Sequence, residues 1–116
     1  MIERLPSEEV KQKIKNANAI SILSHLNPDA DTLGTALGIY ALLSQDKSKK
    51  IEVVNASTHL PRHLDFLPNF HKIKHHMDYE DSLIFTCDCG SVDRLGFDLS
   101  GRELINIDHH QSNELF

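Results

Sequence analysis

The sequence predicts an α/β fold, a three-layer parallel sheet with flanking helices. Short apolar runs alternate with segments of helical periodicity, an order that is typical of right-handed crossovers between parallel strands. Clusters of histidine and acidic residues follow three of these runs. Ligands bind at the carboxyl ends of the strands in such sheets, so we expect the functional site at one edge.

Four apolar runs have the length of buried strands. They are residues 19–23, 51–54, 82–86 and 103–107. Between the second and third runs, residues 61–67 are expected to form a short helix, and residues 71–76 either a short strand or a connector.

A first helix is predicted over residues 7–17, where Ser7 can cap the amino end and Val10, Ile14 and Ala17 recur at helical spacing. Before the second helix, Pro28 keeps Asn27 out of the helical region and helps to hold a loop.

The second helix is predicted to begin near Asp31 or Thr32 and to run through Leu43. Its expected apolar stripe consists of Leu33, Leu37, Tyr40 and Ala41. Gly34 and Gly38, four residues apart, favour close packing of this helix against the sheet.

Composition describes an ordinary globular chain, one domain or part of one, because 40% of the 116 residues are hydrophobic and 25% are charged. The net charge of -5 predicts no surface for long duplex nucleic acid, and no apolar stretch could span a membrane. Cys87 and Cys89 are too close in an extended strand end to favour a disulfide, and no signal peptide is evident. A reducing cytoplasm is therefore expected.

The first polar cluster occupies residues 25–31, directly after the first strand. His25 and Asp29 are four residues apart and Asp31 is two further on, so a loop entering a helix can direct them to adjacent points. Imidazole and carboxylate with little sulfur suit Mn²⁺, Zn²⁺ or Fe²⁺. Two ions in hydrolytic centres lie ~3.5–4 Å apart, so one ion can take His25 and Asp29 and its neighbour Asp31.

The other clusters would complete this centre. Asp88 follows the third strand and could bridge both ions, while His109 could bind the second ion and His110 could face the substrate. Such ions lower the pKa of a bridging water and stabilise phosphoryl oxygens. Arg94 could contact phosphate. The sequence indicates almost equally an arginine on a surface helix without such a role.

Each cluster also has a purely structural interpretation. Asp29 or Asp31 could only cap the second helix, and Asp88 could be an ordinary turn residue. The pair His109 and His110 could be a solvated loop. The coincidence of three clusters at three strand ends favours the metal centre. Five further histidines are expected on polar surfaces, namely His59, His63, His71, His75 and His76.

Three sequence motifs resemble motifs one to three of the DHH phosphoesterases. They are His25-x-x-x-Asp29-x-Asp31, the strand-end Asp88, and Asp108-His109-His110. The flanking residues 27–34 and 106–113 are similar too, and Gly90 to Gly96 resembles the nanoRNase and phosphoadenosine-phosphatase branch.

This resemblance covers residues 8–116 and implies Mn²⁺-dependent cleavage of phosphoester bonds. The implied ligands are His25, Asp29 and Asp88 for one ion, and Asp31, Asp88 and His109 for the other. The resemblance further implies that His110 binds the scissile phosphate and that Asp108 orients the histidines. The family has a fourth motif and a C-terminal substrate domain that these residues lack. We therefore expect an N-terminal portion of a DHH domain, over residues 1–116, with little activity alone.

The expected function is hydrolysis of short oligonucleotides, as by an exonuclease, of cyclic dinucleotides, or of nucleoside bisphosphates. A manganese-dependent pyrophosphatase of the same superfamily is an alternative, although the sequence from Gly90 to Gly96 disfavours it. A non-catalytic metal-binding or interaction fragment is another. The sequence does not determine the oligomeric state, and a homodimer is one of the possible states.

Overall fold

The computed structural model describes residues 7–57, 59–87 and 95–107. They contain one four-stranded sheet in which every neighbouring pair of strands is parallel. Its strands are β1 (Ala19–Leu23), β2 (Lys50–Val54), β3 (Leu83–Cys87) and β4 (Leu104–Ile107). Each agrees with a predicted run to within one residue at either end, so the parallel α/β sheet is confirmed.

Two α-helices, α1 (Ser7–Asn16) and α2 (Ala30–Leu43), pack with one face of this sheet. Side chains alternate across a strand, so Ile20 and Ile22 of β1 enter this core while Ser21 and Leu23 point to the opposite face. The helices contribute Val10, Ala36, Leu37, Ile39 and Leu43 to the same buried cluster. No helix of the described chain is long and apolar enough to cross a lipid bilayer.

The opposite face carries a smaller apolar cluster built from strands and connecting segments. Its buried members are Leu23, Val54, Ile84 and Leu95. Met77, Phe97 and Leu99 pack against it from the connections that follow β2 and β3.

One prediction about α2 was wrong, and another was wrong for one of its two glycines. Ala41 is exposed, so it does not belong to the buried stripe. A Cβ atom placed on Gly34 would meet nothing within 4 Å, so this glycine does not allow a close approach to the sheet. Positions 34 and 41 are seven residues apart, which places them on the same side of a helix, away from the core.

The connection between β2 and β3 is less helical than predicted. One short 3₁₀ turn, Arg62–Leu64, replaces the expected helix over residues 61–67, and a second, Phe70–Lys72, follows it. Residues 71–76 form a connector, joined to β2 through one isolated bridge between Val54 and Lys74.

Candidate metal centre at the carboxyl ends of the strands

The order β2-β1-β3-β4 places a topological switch point between β1 and β3. The chain leaves β1 towards β2 on one side and then crosses to β3 on the other side. Ligands in open α/β sheets bind in the crevice outside the carboxyl ends of strands at such a point. The cluster at residues 25–31 begins there, directly after β1.

His25 has the geometry of a metal-binding imidazole. Its Nδ1 atom lies 2.8 Å from the carbonyl oxygen of Leu26, which can only accept a hydrogen bond. In the neutral ring Nδ1 therefore carries the proton, and the Nε2 lone pair can accept from a hydroxyl or bind a metal ion. Nε2 lies 3.3 Å from the Thr32 hydroxyl. A backbone carbonyl on the other ring nitrogen is the usual support of a metal-bound histidine.

Asp29 is the N-cap of α2. Its Oδ1 atom accepts a hydrogen bond of 2.9 Å from the backbone N–H of Thr32. This bond is the main reason why the pKa of Asp29 is lowered. The Thr32 side chain and His25 also lower this pKa, while burial acts in the opposite direction. A carboxylate has several acceptor sites, so capping leaves room for a cation.

The loop that presents these two side chains is held in an unusual conformation. Asn27 has a φ of 54°, in the left-handed region that asparagine tolerates better than most residues. Its backbone N–H donates to the Ser57 hydroxyl at 2.9 Å. Pro28 is buried, and the helix follows at once.

Asp31 lies exposed in the first turn of α2. The structure thus brings His25 and Asp29 together at Thr32 and leaves Asp31 on the same turn. Within the described ranges no three histidine, cysteine or acidic side chains meet closely enough to hold a metal ion. One imidazole nitrogen and two carboxylates are nevertheless the donors that a divalent transition metal takes.

The remaining predicted site residues lie outside the described part of the chain. They are Asp88, Arg94, Asp108, His109 and His110. Near the corresponding strand ends, the buried Thr86 hydroxyl donates to Asn106 Oδ1 at 2.8 Å and links β3 to β4.

Asn55, which follows β2, was missed by sequence reasoning. Its side chain is fully buried, and its Nδ2 atom donates to the carbonyl oxygen of His25 at 2.9 Å and to the Ser24 hydroxyl at 2.7 Å. Its Oδ1 atom accepts from the N–H of Ser57 at 2.8 Å. Asn55 therefore fixes the backbone that carries His25. A polar residue directly after a predicted strand was the available signal.

The sequence also matches a known family. The model of the DHH family N-terminal domain matches residues 19–116, and the chain belongs to this family. It is 29% identical, over 104 residues, to a protein of Streptococcus mutans described as "Probable bifunctional oligoribonuclease and PAP phosphatase NrnA". That match covers 88% of this chain and 33% of the relative, so the chain spans about a third of the relative's length.

A solved structure shows the same fold. It is the crystal structure of an exopolyphosphatase-related protein from Bacteroides fragilis, with a TM-score of 0.72 and 21% sequence identity. The match covers 95% of this chain and 41% of that one.

Proposed function

We propose that these residues belong to the catalytic domain of a metal-dependent phosphoester hydrolase. Its substrates would be short oligonucleotides, cyclic dinucleotides or nucleoside bisphosphates. The observation that carries the proposal is the His25–Asp29 pair at the switch point of a DHH-family sheet. The name of the Streptococcus mutans relative, which refers to an oligoribonuclease and a PAP phosphatase, supports this substrate class.

The expected cofactors are two divalent ions, with Mn²⁺ implied by the resemblance. The ligands would be His25, Asp29, Asp31, Asp88 and His109. When bound, such ions supply a nucleophilic water near neutral pH and neutralise charge on a phosphoryl group.

The other site residues would act on the substrate and on the ligands. His110 would bind the scissile phosphate, Asp108 would orient the imidazoles of its neighbours, and Arg94 would contact a phosphate oxygen. On the described side, the Leu26 carbonyl would keep the proton of a neutral His25 ring on Nδ1 and leave Nε2 to bind an ion.

A hydrolysis assay with Mn²⁺ on the full-length protein tests this function. A dinucleotide, a nucleoside 3′,5′-bisphosphate and inorganic pyrophosphate are compared as substrates. We expect one of the nucleotides to be preferred and the Asp88→Asn substitution to abolish turnover. Asp81→Asn, a change at an exposed acidic residue outside the proposed site, serves as the matched control. Preference for pyrophosphate would instead favour the pyrophosphatase, and Mn²⁺ binding without turnover would favour a non-catalytic metal-binding module.

A further inference from the structure

A second feature near the candidate metal centre is a cavity of about 520 Å³ in the connection between β2 and β3. Its polar walls are formed by His59, Arg62, Asp65, His71 and His75. A cavity of this size lies within the range of small-molecule pockets, which is about 300–1,000 Å³.

One positively charged side chain on the cavity wall, that of Arg62, has no partner among the described residues. Arg62 is exposed, and its side chain forms no hydrogen bond or ion pair within the described part of the chain. Lys74, by contrast, pairs with Glu52, and Arg102 donates to Ser82. A guanidinium with its donors open matches two phosphate oxygens at once.

The cavity also offers an aromatic surface. Phe70 is half-buried, packs on one side against the core, and lines the cavity. Leu60 and Ile73 add apolar surface beside it. A ring in this position can stack with any of the nucleobases. Asp65 provides an acceptor on the same wall for hydroxyl or amino groups.

Hydrogen bonds through Asn55 connect the cavity wall to the turn that carries His25. His75, on the cavity wall, has Nδ1 at 3.1 Å from the backbone oxygen of Asn55. The side chain of Asn55 in turn donates to the carbonyl oxygen of His25 at 2.9 Å. The cavity therefore lies on the β2 side of the turn that carries His25 and is joined to that turn through Asn55.

We propose that this cavity binds one nucleotide of the substrate, with its phosphate at Arg62 and its base against Phe70. The inference rests on the proposed function and extends it, because such a subsite selects nucleotides over pyrophosphate. The three histidines on the wall act as additional polar contacts to the phosphate and sugar.

Binding without metal tests the subsite separately from catalysis. The ¹⁵N-labelled chain is titrated in a chelating buffer with 5′-AMP, adenosine and inorganic phosphate, and amide shifts are followed. We expect 5′-AMP to bind most tightly and to shift residues 59–75. Arg62→Ala should weaken 5′-AMP binding about tenfold or more. Lys72→Ala, which removes an exposed cation of the same segment from outside the cavity wall, should leave it unchanged.

Phe70→Leu provides a second variant that keeps apolar packing and removes the ring. Loss of base stacking should weaken 5′-AMP binding by at least fivefold while phosphate binding stays the same. Equal weakening by Arg62→Ala and Lys72→Ala, or shifts confined to other segments, would overturn the subsite. Nucleotide binding at residues 59–75, together with no hydrolysis of any phosphoester by the full-length protein, would refute the proposed function and leave the subsite standing.

Discussion

Asp29 caps α2, and we propose that it also binds metal; substitutions can separate the two roles. Asparagine caps helices about as well as aspartate, so Asp29→Asn should keep the metal-free unfolding free energy within about 0.5 kcal/mol. Asp29→Ala removes the bond to Thr32 and should lower it by about 1 kcal/mol. Both variants should lose Mn²⁺ affinity, because neither has the carboxylate. Urea unfolding in chelator and a Mn²⁺ titration measure the two effects.

The asparagine variant decides between the two interpretations of this residue. Mn²⁺ affinity equal to that of the parent chain would mean that Asp29 only caps the helix.

The buried side chain of Asn55 holds the turn that carries His25 in place. Asn55→Ala would leave the buried hydroxyl of Ser24, the carbonyl of His25 and the N–H of Ser57 without their present partner. Unsatisfied buried groups cost about 1–3 kcal/mol each, partly relieved by water, so we expect a loss of about 2–4 kcal/mol in chemical denaturation. Mn²⁺ binding by the folded fraction should weaken too. Asn18→Ala, the same change at an exposed position, is the control.

At the scale of elements, a polar network links β2 to its neighbours on the second face of the sheet. The carboxylate of Glu52 is buried and accepts from the Ser21 hydroxyl at 2.6 Å and from the Asp78 N–H at 3.0 Å. Lys74 Nζ lies 2.6 Å from it. Burial alone would raise the pKa of Glu52, but these hydrogen bonds and one from the Tyr79 N–H outweigh burial and lower it.

This lowered pKa predicts acid sensitivity. The stabilisation is fully present above the ordinary glutamate pKa of 4.5 and is lost as pH falls through the lower pKa of the folded chain. Glu52→Gln should reduce the unfolding free energy at pH 7 by about 2–4 kcal/mol and flatten its dependence on pH below 4.5. Glu80→Gln, at an exposed glutamate, should change neither quantity much. A pH series of urea unfolding curves makes the comparison, and a slope unchanged by Glu52→Gln would refute the assignment.

Gly96 packs the connection after β3 against Ala56, which follows β2, and against Leu26 in the loop between β1 and α2. Its φ is +80°, and a Cβ there would lie 2.8 Å from the Cβ of Ala56 and 3.2 Å from Leu26 Cδ2. Gly96→Ala combines left-handed strain with overpacking, so we expect a loss of about 2–4 kcal/mol in thermal or urea unfolding. Gly101→Ala has a similar φ, 76°, but open space around it, and should cost only the strain, about 1–2 kcal/mol. Equal losses would show that the contacts with Ala56 and Leu26 are unimportant.

These elements show which features sequence could predict. The bounds of β1 follow from an apolar run and the start of α2 from a local cap, and both signals depend only on residues close together in the sequence. The roles of Asn55 and Gly96 depend on contacts with the His25–Leu26 turn, which is distant in sequence. Local periodicity carries no information about such contacts.

The same distinction applies to the whole molecule. Alternating apolar and helical segments predicted a parallel sheet, but they did not predict the order β2-β1-β3-β4, because strands of similar length and burial can pair in several orders. The cavity beside Arg62 was not predicted either. The five histidines between residues 59 and 76 were expected on polar surfaces, and all five are exposed. The fold brings three of them around one cavity, which their spacing in the sequence does not indicate.

Metal binding should stabilise the whole fold, because the proposed ligands follow three different strands and only the folded chain assembles them. At a free Mn²⁺ concentration 100 times the Kd, one ion adds about 2.7 kcal/mol to the unfolding free energy. For a chain of this size that raises Tm by about 10 °C, and a chelator should reverse the rise. Each variant is compared with and without Mn²⁺, so that its own change in stability cancels. His25→Ala should lose most of the shift, while His63→Ala, at an exposed position outside the proposed site, should retain it. A full Mn²⁺ shift in His25→Ala would place the binding ion elsewhere in the molecule and contradict the proposed metal centre.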